Sequence, residues 1–287
     1  MTDAGMTSED YDGFRVFLEE ACGIMLGDNK HYLVSSRLSP LLAEAGLPSL
    51  RELLVRLRIG TDLRLRDRVI DAMTTNETSW FRDGTVFELL KTVILPSLVK
   101  ARPARLRAWS AGCSTGQEPY SISMALQEFL LMNPGKVAAD LQIVATDISP
   151  SVLKQAESGI YDAAAMARGL TPERRSRFFT ARGGHWEINT GVRQRVSFRE
   201  LNLSQNFQAL GKFDLIFCRN VLIYFSSGLK RDILTRIASL LLPDGYLILG
   251  SAESLANYSD AFDMLRFPEG IVYRLKKHPA RAQHHRA

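Results

Sequence analysis

Three short stretches carry the residues best placed for chemistry. WSAGCSTGQEPY (109–120) bears Gly112 and Gly116 and reaches Glu118. A loop of this composition lets backbone amides come close to a ligand, which could be a dinucleotide, a phosphate or another nucleoside. The glycines alone decide little, because Cys-Ser-Thr between them breaks the G-x-G-x-x-G pattern. LQIVATD (141–147) ends on Asp147, a carboxylate able to accept two hydrogen bonds from a ribose diol. Asp147 lies about 35 residues beyond Gly112, more than the roughly 20 usual for a dinucleotide fold, which leaves space for a longer helix between them. The alternative is a charge set at the start of the next helix. The third stretch, FDLIFCRN (213–220), places Arg219 and Asn220 just after an apolar run.

A fourth stretch, NETSWFRD (76–83), combines Asn76, Thr78 and Arg82 with Trp80 and Phe81. Two aromatics beside an arginine point to a wall of the site, with helix capping by Asn76 or Thr78 as the other explanation. No activated nucleophile stands out: G-x-S-x-G is missing, as are a Lys-Ser-Thr phosphate loop and a Cys-His pairing. The five histidines are isolated or sit in the tail, so no metal site is expected. A cofactor that carries its own activated group fits this inventory better.

The elements that must position these residues fall into two parts. Before residue 76, apolar residues recur at helical spacing. Phe14, Phe17, Leu18, Ala21 and Met25 form one face, and Val34, Leu38, Leu41, Leu42 and Ala45 another, with Pro40 implying a kink or break. Shorter helices are expected over 50–57 and 63–73. From about residue 84, strands and helices alternate, with strands at 106–109, 141–147, 213–218, 246–250 and 271–275. Between them lie GQEPYSISMALQEFLL, SPSVLKQAESG with Ser149 as N-cap before Pro150, and SGLKRDILTRIASLLLP. That alternation predicts an α/β fold with a doubly wound, mostly parallel sheet, whose ligands sit at the carboxyl ends of the strands. RFFTARGGHWEINTGVRQRVSF interrupts the series and reads as a small antiparallel β insertion at about 178–196, or else as an irregular loop. The expected division is a helical domain over 1–75 and an α/β domain over 76–287.

The charge of +5 and pI near 9.2 raise the question of nucleic acid. Five positives, Arg274, Lys276, Lys277, Arg281 and Arg286, fall in a tail with no acid after Glu269, and without them 31 basic residues face 31 acidic ones. The body is therefore near neutral and no nucleic-acid partner is expected. Charge is uneven in the helical part, where residues 30–68 hold eight bases against four acids. That distribution allows either a basic docking face or solvated helix surfaces. Cys22, Cys113 and Cys218 fit no disulfide framework or zinc spacing. With no signal peptide or membrane-spanning run, a cytoplasmic protein is expected.

Taken together, NETSWFRD, WSAGCSTGQEPYSISMAL, ATDIS, LNL and FDLIFCRNVLIYF resemble the CheR family of chemotaxis receptor glutamate O-methyltransferases, and the likeness extends through GYLILGSAES to EGIVYRL. The resemblance implies a helical N-terminal domain joined to a Rossmann-like methyltransferase domain that binds S-adenosylmethionine and carries a small β subdomain. It implies that Asn76, Thr78, Arg82, Glu118, Asp147, Asn202, Leu203, Arg219 and Asn220 contact or frame the donor, with Gly112 and Gly116 leaving room for it. Asp147 would hold the ribose, Glu118 would balance charge at the amino acid end, and residues 202 and 203 would approach the adenine.

The chemistry so implied is methyl transfer to a receptor glutamate, leaving S-adenosylhomocysteine. A glutamate is already ionised at neutral pH, so alignment and desolvation replace a general base. Arg82 and Tyr224 are the candidates for positioning that carboxylate. The basic stretch from Lys30 to Arg68 gains a partner in the cytoplasmic helical bundle of a chemoreceptor, and the enzyme is expected to be a monomer. Two departures stand out. Trp80 replaces the family's more frequent phenylalanine, which could reshape the pocket. RGGHWEIN is short beside the glycine-rich hairpin of members that dock on a receptor's C-terminal pentapeptide, so no dependence on that peptide is expected. The rivals are a nicotinamide-dependent oxidoreductase, which lacks the tight glycine fingerprint and a hydride-relay pair, and a non-catalytic sensor or scaffold that binds the donor or receptors.

Overall fold

A computed structural model describes residues 6–102, 105–134 and 140–276. The basic tail beyond Lys276 lies outside them. The helical part consists of α1 (Ser8–Cys22), α2 (His31–Glu44), α3 (Leu50–Ile59) and α4 (Leu63–Met73). Each apolar stripe read from the sequence turns inward, so that Phe14, Leu18, Val34, Leu38, Leu53, Leu57 and Val69 share one core. A capping box between Thr7 and Asp10 opens α1, and Ser49 and Asp62 cap α3 and α4.

One expectation fails here, and of the kink or break implied by Pro40 the break is absent. Gly23 takes the left-handed conformation (φ 78°) and donates to the Glu19 carbonyl at 2.7 Å, which ends α1 before Met25. Met25 is thus off the helix face and about half exposed. α2 is not broken at Pro40 but runs on to Glu44.

In the α/β part the strands β1 (Arg105–Ala111), β2 (Asp140–Asp147), β6 (Val196–Glu200), β7 (Phe213–Cys218), β8 (Leu241–Leu249), β9 (Phe262–Phe267) and β10 (Gly270–Leu275) make a seven-stranded sheet in the order β6-β2-β1-β7-β8-β10-β9. Pairings from β6 to β8 are parallel, and those of β10 with β8 and β9 antiparallel. Successive residues of β7 alternate between two cores, Leu215 and Phe217 in one and Ile216 and Cys218 in the other, as burial on both faces requires. The order reverses at β1, whose neighbours are β2 and β7, so the loop that follows β1 opens on the switch-point crevice.

The helices of this part are α5 (Thr85–Leu89), α6 (Leu95–Ala101), α7 (Gln117–Met132), α8 (Pro150–Ser158), α9 (Ala163–Met166), α10 (Pro172–Phe178), α11 (Thr190–Arg193) and α12 (Ser227–Leu240). A π-helical turn, Leu90–Ile94, joins α5 to α6 ahead of Pro96, whose missing N–H interrupts the ordinary ladder.

The antiparallel insertion has three strands in the order β3-β5-β4: β3 (Ile160–Tyr161), β5 (His185–Ile188) and β4 (Phe179–Arg182). Gly183 and Gly184, both at positive φ, form the two-residue turn that the sequence marked. Asn189 precedes α11, after which β6 joins the main sheet beside β2. Neither the short β3 nor the edge strand β9 was anticipated.

Candidate active site

A cavity of about 340 Å³ opens where β1, β2 and β7 end, at the lower end of the range for small-molecule sites. Asn76, Thr78, Arg82, Gly112, Glu118, Asp147, Asn202, Leu203, Arg219, Asn220 and Tyr224 all line it. The remaining wall is one the sequence did not reveal: Cys22, Ile24, Met25, Leu26 and Lys30, from the end of α1 and the segment leading to α2. That segment is tied down at several points. The Met25 N–H donates to the Tyr224 carbonyl at 2.9 Å, and the Tyr11 hydroxyl donates to the Gly27 carbonyl at 2.6 Å.

The loop after β1 is shaped by Asp147. The Ser114 N–H donates to its Oδ2 at 2.8 Å and the Ser149 N–H to its Oδ1 at 3.0 Å. One carboxylate therefore joins the glycine loop to the start of α8. Asp147 also lines the cavity. Burial pushes the Asp147 carboxyl above its ordinary range, against the pull of these N–H donors.

The glycines also serve the packing of the chain itself. A side chain on Gly112 would meet Val221 Cγ2 at 2.4 Å, and one on Gly116 would meet Ala156 of α8 at 2.9 Å. Their missing side chains make room for the protein's own packing, and Gly116 does not line the cavity.

The base of the cavity is an ionic chain. Arg219, only 2% exposed in its side chain, donates to Glu118 Oε2 at 3.1 Å, to Asp83 Oδ2 at 2.7 Å and to the Arg82 carbonyl at 2.9 Å. Ser110 donates to the other oxygen of Glu118 at 2.7 Å. Burial raises the Glu118 carboxyl, and Arg219 and Ser110 oppose the rise. Phe81 and Asp83 both stand at positive φ (45° and 55°), so the backbone around Arg82 is held in a strained form by these contacts.

Trp80 and Phe81 do not form a wall of the cavity. Both are buried in the core, Trp80 edge-on to Tyr161 and Phe179, and Phe81 against Phe87. They anchor the loop from behind and leave Arg82 on the cavity side. Arg82 donates to the Glu77 carbonyl at 3.2 Å and has no acidic partner among the described residues. The Asn202 amide is turned away as well: its Nδ2 donates to the Ala21 carbonyl at 2.9 Å, and its Oδ1 accepts from Ser204. Asn202 thus clamps the helical part to the α/β part.

The model of the CheR methyltransferase SAM-binding domain matches residues 76–271, and that of the CheR methyltransferase all-alpha domain matches residues 9–74. The chain belongs to the CheR methyltransferase family. Chemotaxis protein methyltransferase 1 of Pseudomonas aeruginosa is 55% identical over 269 residues, covering 93% of this chain and 98% of its own length. Chemotaxis protein methyltransferase Cher2 of Pseudomonas putida is 52% identical with the same coverage. The chemotaxis protein methyltransferase of Vibrio anguillarum is 48% identical over 277 residues, 96% of this chain and all of its own.

As a CheR methyltransferase the protein uses S-adenosylmethionine, and the cavity suits it: a carboxylate at Asp147, an arginine without an acidic partner among the described residues, and polar groups from both parts of the chain. The oxidoreductase alternative is set aside. Cys22 and Cys113 also line the cavity, but burial pushes the Cys22 thiol up to about 11 and that of Cys113 well above its usual value, so neither is a thiolate at neutral pH. Among the described residues no helix is long and apolar enough to cross a membrane.

Proposed function

We propose that this CheR methyltransferase esterifies glutamate side chains in the cytoplasmic helical bundle of chemoreceptors, giving the methyl esters used in adaptation. One observation carries the reading. Of the two arginines in the cavity, Arg219 is ion-paired with Glu118 and Asp83, whereas Arg82 has no acidic partner among the described residues. An unpaired guanidinium beside a methyl-donor site is a receptor for a carboxylate.

When bound, S-adenosylmethionine supplies a methyl group on a sulfonium, and S-adenosylhomocysteine remains after transfer. Asp147 accepts hydrogen bonds from the ribose, and Glu118, with Arg219, faces the amino acid end. The backbone at Asn202 and the side chain of Leu203 border the adenine, while Asn76, Thr78 and Asn220 complete the frame. Arg82 and Tyr224 orient the acceptor carboxylate, which needs no proton removed. The oxygen–methyl bond forms as the methyl–sulfur bond breaks.

Arg82→Ala is expected to slow labelled methyl transfer to a receptor fragment about 10- to 100-fold, the worth of one charged hydrogen bond, and Tyr224→Phe by less. Unchanged rates and unchanged donor affinity in both would remove the assignment.

Docking falls to the helical part. Of its eight bases between residues 30 and 68, Arg51, Arg56, Arg66 and Arg68 meet acidic neighbours. Arg37 donates to the carbonyls of Met73 and Thr74 at the end of α4. Lys30, Arg58 and Arg64 stay without an acidic partner among the described residues and are the groups we assign to an acidic receptor surface. Raising salt should weaken receptor binding. The turn at Gly183-Gly184 is short, which supports activity without a C-terminal pentapeptide, in a cytoplasmic monomer. Methyl transfer to receptor fragments should run equally well with and without their last residues. Salt-insensitive binding, or submicromolar affinity for the pentapeptide alone, would contradict this account.

A further inference from the structure

Glu253 lies in the loop after β8, within GYLILGSAES, where the sequence assigns it no role. Its carboxylate accepts four backbone N–H groups: Oε2 from Asn220 at 2.7 Å and Gly250 at 2.9 Å, and Oε1 from Val221 at 3.1 Å and Ile223 at 3.3 Å. No cation pairs with it among the described residues. A half-buried carboxylate satisfied by main-chain donors alone acts as a template for those donors, because a shift of any one leaves a charged acceptor short of a partner. Three of the four belong to the turn after β7, which supplies Asn220, Val221, Ile223 and Tyr224 to the cavity. That turn needs outside support: Asn220 stands at φ 58°, and Val221 presses on Gly112. Gly250 is fixed by the same arrangement, since a side chain there would come within 2.9 Å of both Asn220 Nδ2 and Glu253 Oε2. The Tyr224 carbonyl passes the constraint on to Met25 of the helical part.

We infer that Glu253 is a positioning residue for methyl transfer: it holds the turn 220–224 in register with the loop after β1, so that the acceptor side of the cavity is formed before substrate arrives. The inference rests on the cavity being the methyl-transfer site. Gln keeps the shape of Glu253 but turns an NH₂ toward two of the N–H donors, and Asp is too short to reach both loops.

The test measures labelled transfer to a receptor fragment at saturating S-adenosylmethionine for wild type, Glu253→Gln and Glu253→Asp, below their melting temperatures. Both variants are expected to lose kcat about 10- to 100-fold, with KM for the fragment within about threefold because the docking residues are untouched. A kcat loss under tenfold, or one that disappears on cooling as the folded fraction recovers, overturns the inference. Amide exchange in the donor-free wild type keeps the question decidable if the variants do not fold. Asn220 and Val221 should be protected, and exchange as fast as in exposed loops would refute the role. If wild type does not methylate the fragment at all, the substrate assignment fails, and amide exchange still decides the role of Glu253.

Discussion

An Arg219→Leu variant is expected to lose about 3–5 kcal/mol of stability, the usual result of removing one member of a buried ion pair. Its melting point should fall by on the order of 10 °C for a chain of this size. Leucine fills much of the volume but leaves the Arg82 carbonyl without this donor and Glu118 with Ser110 alone. Asp83, 39% exposed in its side chain, turns to water and contributes little to the loss. The defect has a predictable pH dependence. Burial already holds the Glu118 carboxyl above its ordinary range and Arg219 opposes that rise, so removing the arginine lifts it further. A carboxyl that is raised in the folded state binds more protons there than in the unfolded chain, so stability falls as pH rises through that interval. The deficit of the variant should therefore be smaller near about pH 5 than near about pH 8. Thermal melts at both values check this, and a deficit that is equal at both or larger in acid would mean that Glu118 is not the group left stranded.

Gly169→Ala is the second substitution with a large expected effect, although position 169 touches no ligand. Gly169 stands at φ 89°, and an added side chain would come within 1.9 Å of the Trp80 carbonyl oxygen. The obstacle is backbone, itself tied to the neighbouring Arg168 carbonyl by the Trp80 N–H at 3.2 Å. Trp80 cannot retreat, because its ring is fully buried between Tyr161 and Phe179. Left-handed strain of about 1–2 kcal/mol and overpacking of about 1–3 kcal/mol together predict a loss of several kcal/mol. Arg82 lies two residues beyond Trp80, so methyl transfer should fall further than the folded fraction does. Melting within about 2 °C of wild type, where roughly 1 kcal/mol separates 2–4 °C, would show that the loop yields more easily than its packing implies.

These two positions mark where local sequence stops being informative. The apolar run FDLIFC was read at its true ends, because a strand buried on both faces leaves a continuous apolar signal. Ser149-Pro150 gave the start of α8 just as directly, since an N-cap and a proline at N1 act locally. Candidate ligands could be found because the fold places function at strand ends, a rule that needs only the order of elements. Their roles were harder to read. The aromatics of NETSWFRD face the core, Gly116 accommodates α8, and the Asn202 amide holds α1, all through contacts far along the chain. Met25 kept the helical period of α1 but lies beyond its glycine cap, and only the assembled structure shows it against Tyr224. The roles of Glu253, Asp83 and Gly169 are hidden for the same reason, although two quoted motifs contain the first two: Glu253 and Gly169 meet main-chain atoms of a distant loop, and Asp83 meets the Arg219 guanidinium, contacts that leave no period in the sequence.

The segment between α1 and α2 closes a cavity whose floor belongs to the sheet, and this couples two equilibria. A ligand resting on Met25 and Leu26 as well as on Asp147 and Glu118 gains affinity only when the two parts of the chain are apposed. By reciprocity, it must strengthen that apposition by the same free energy. Donor occupancy and the placement of the basic helices are then not independent variables. Filling the cavity and seating the helical part on the sheet are one thermodynamic event seen from two sides.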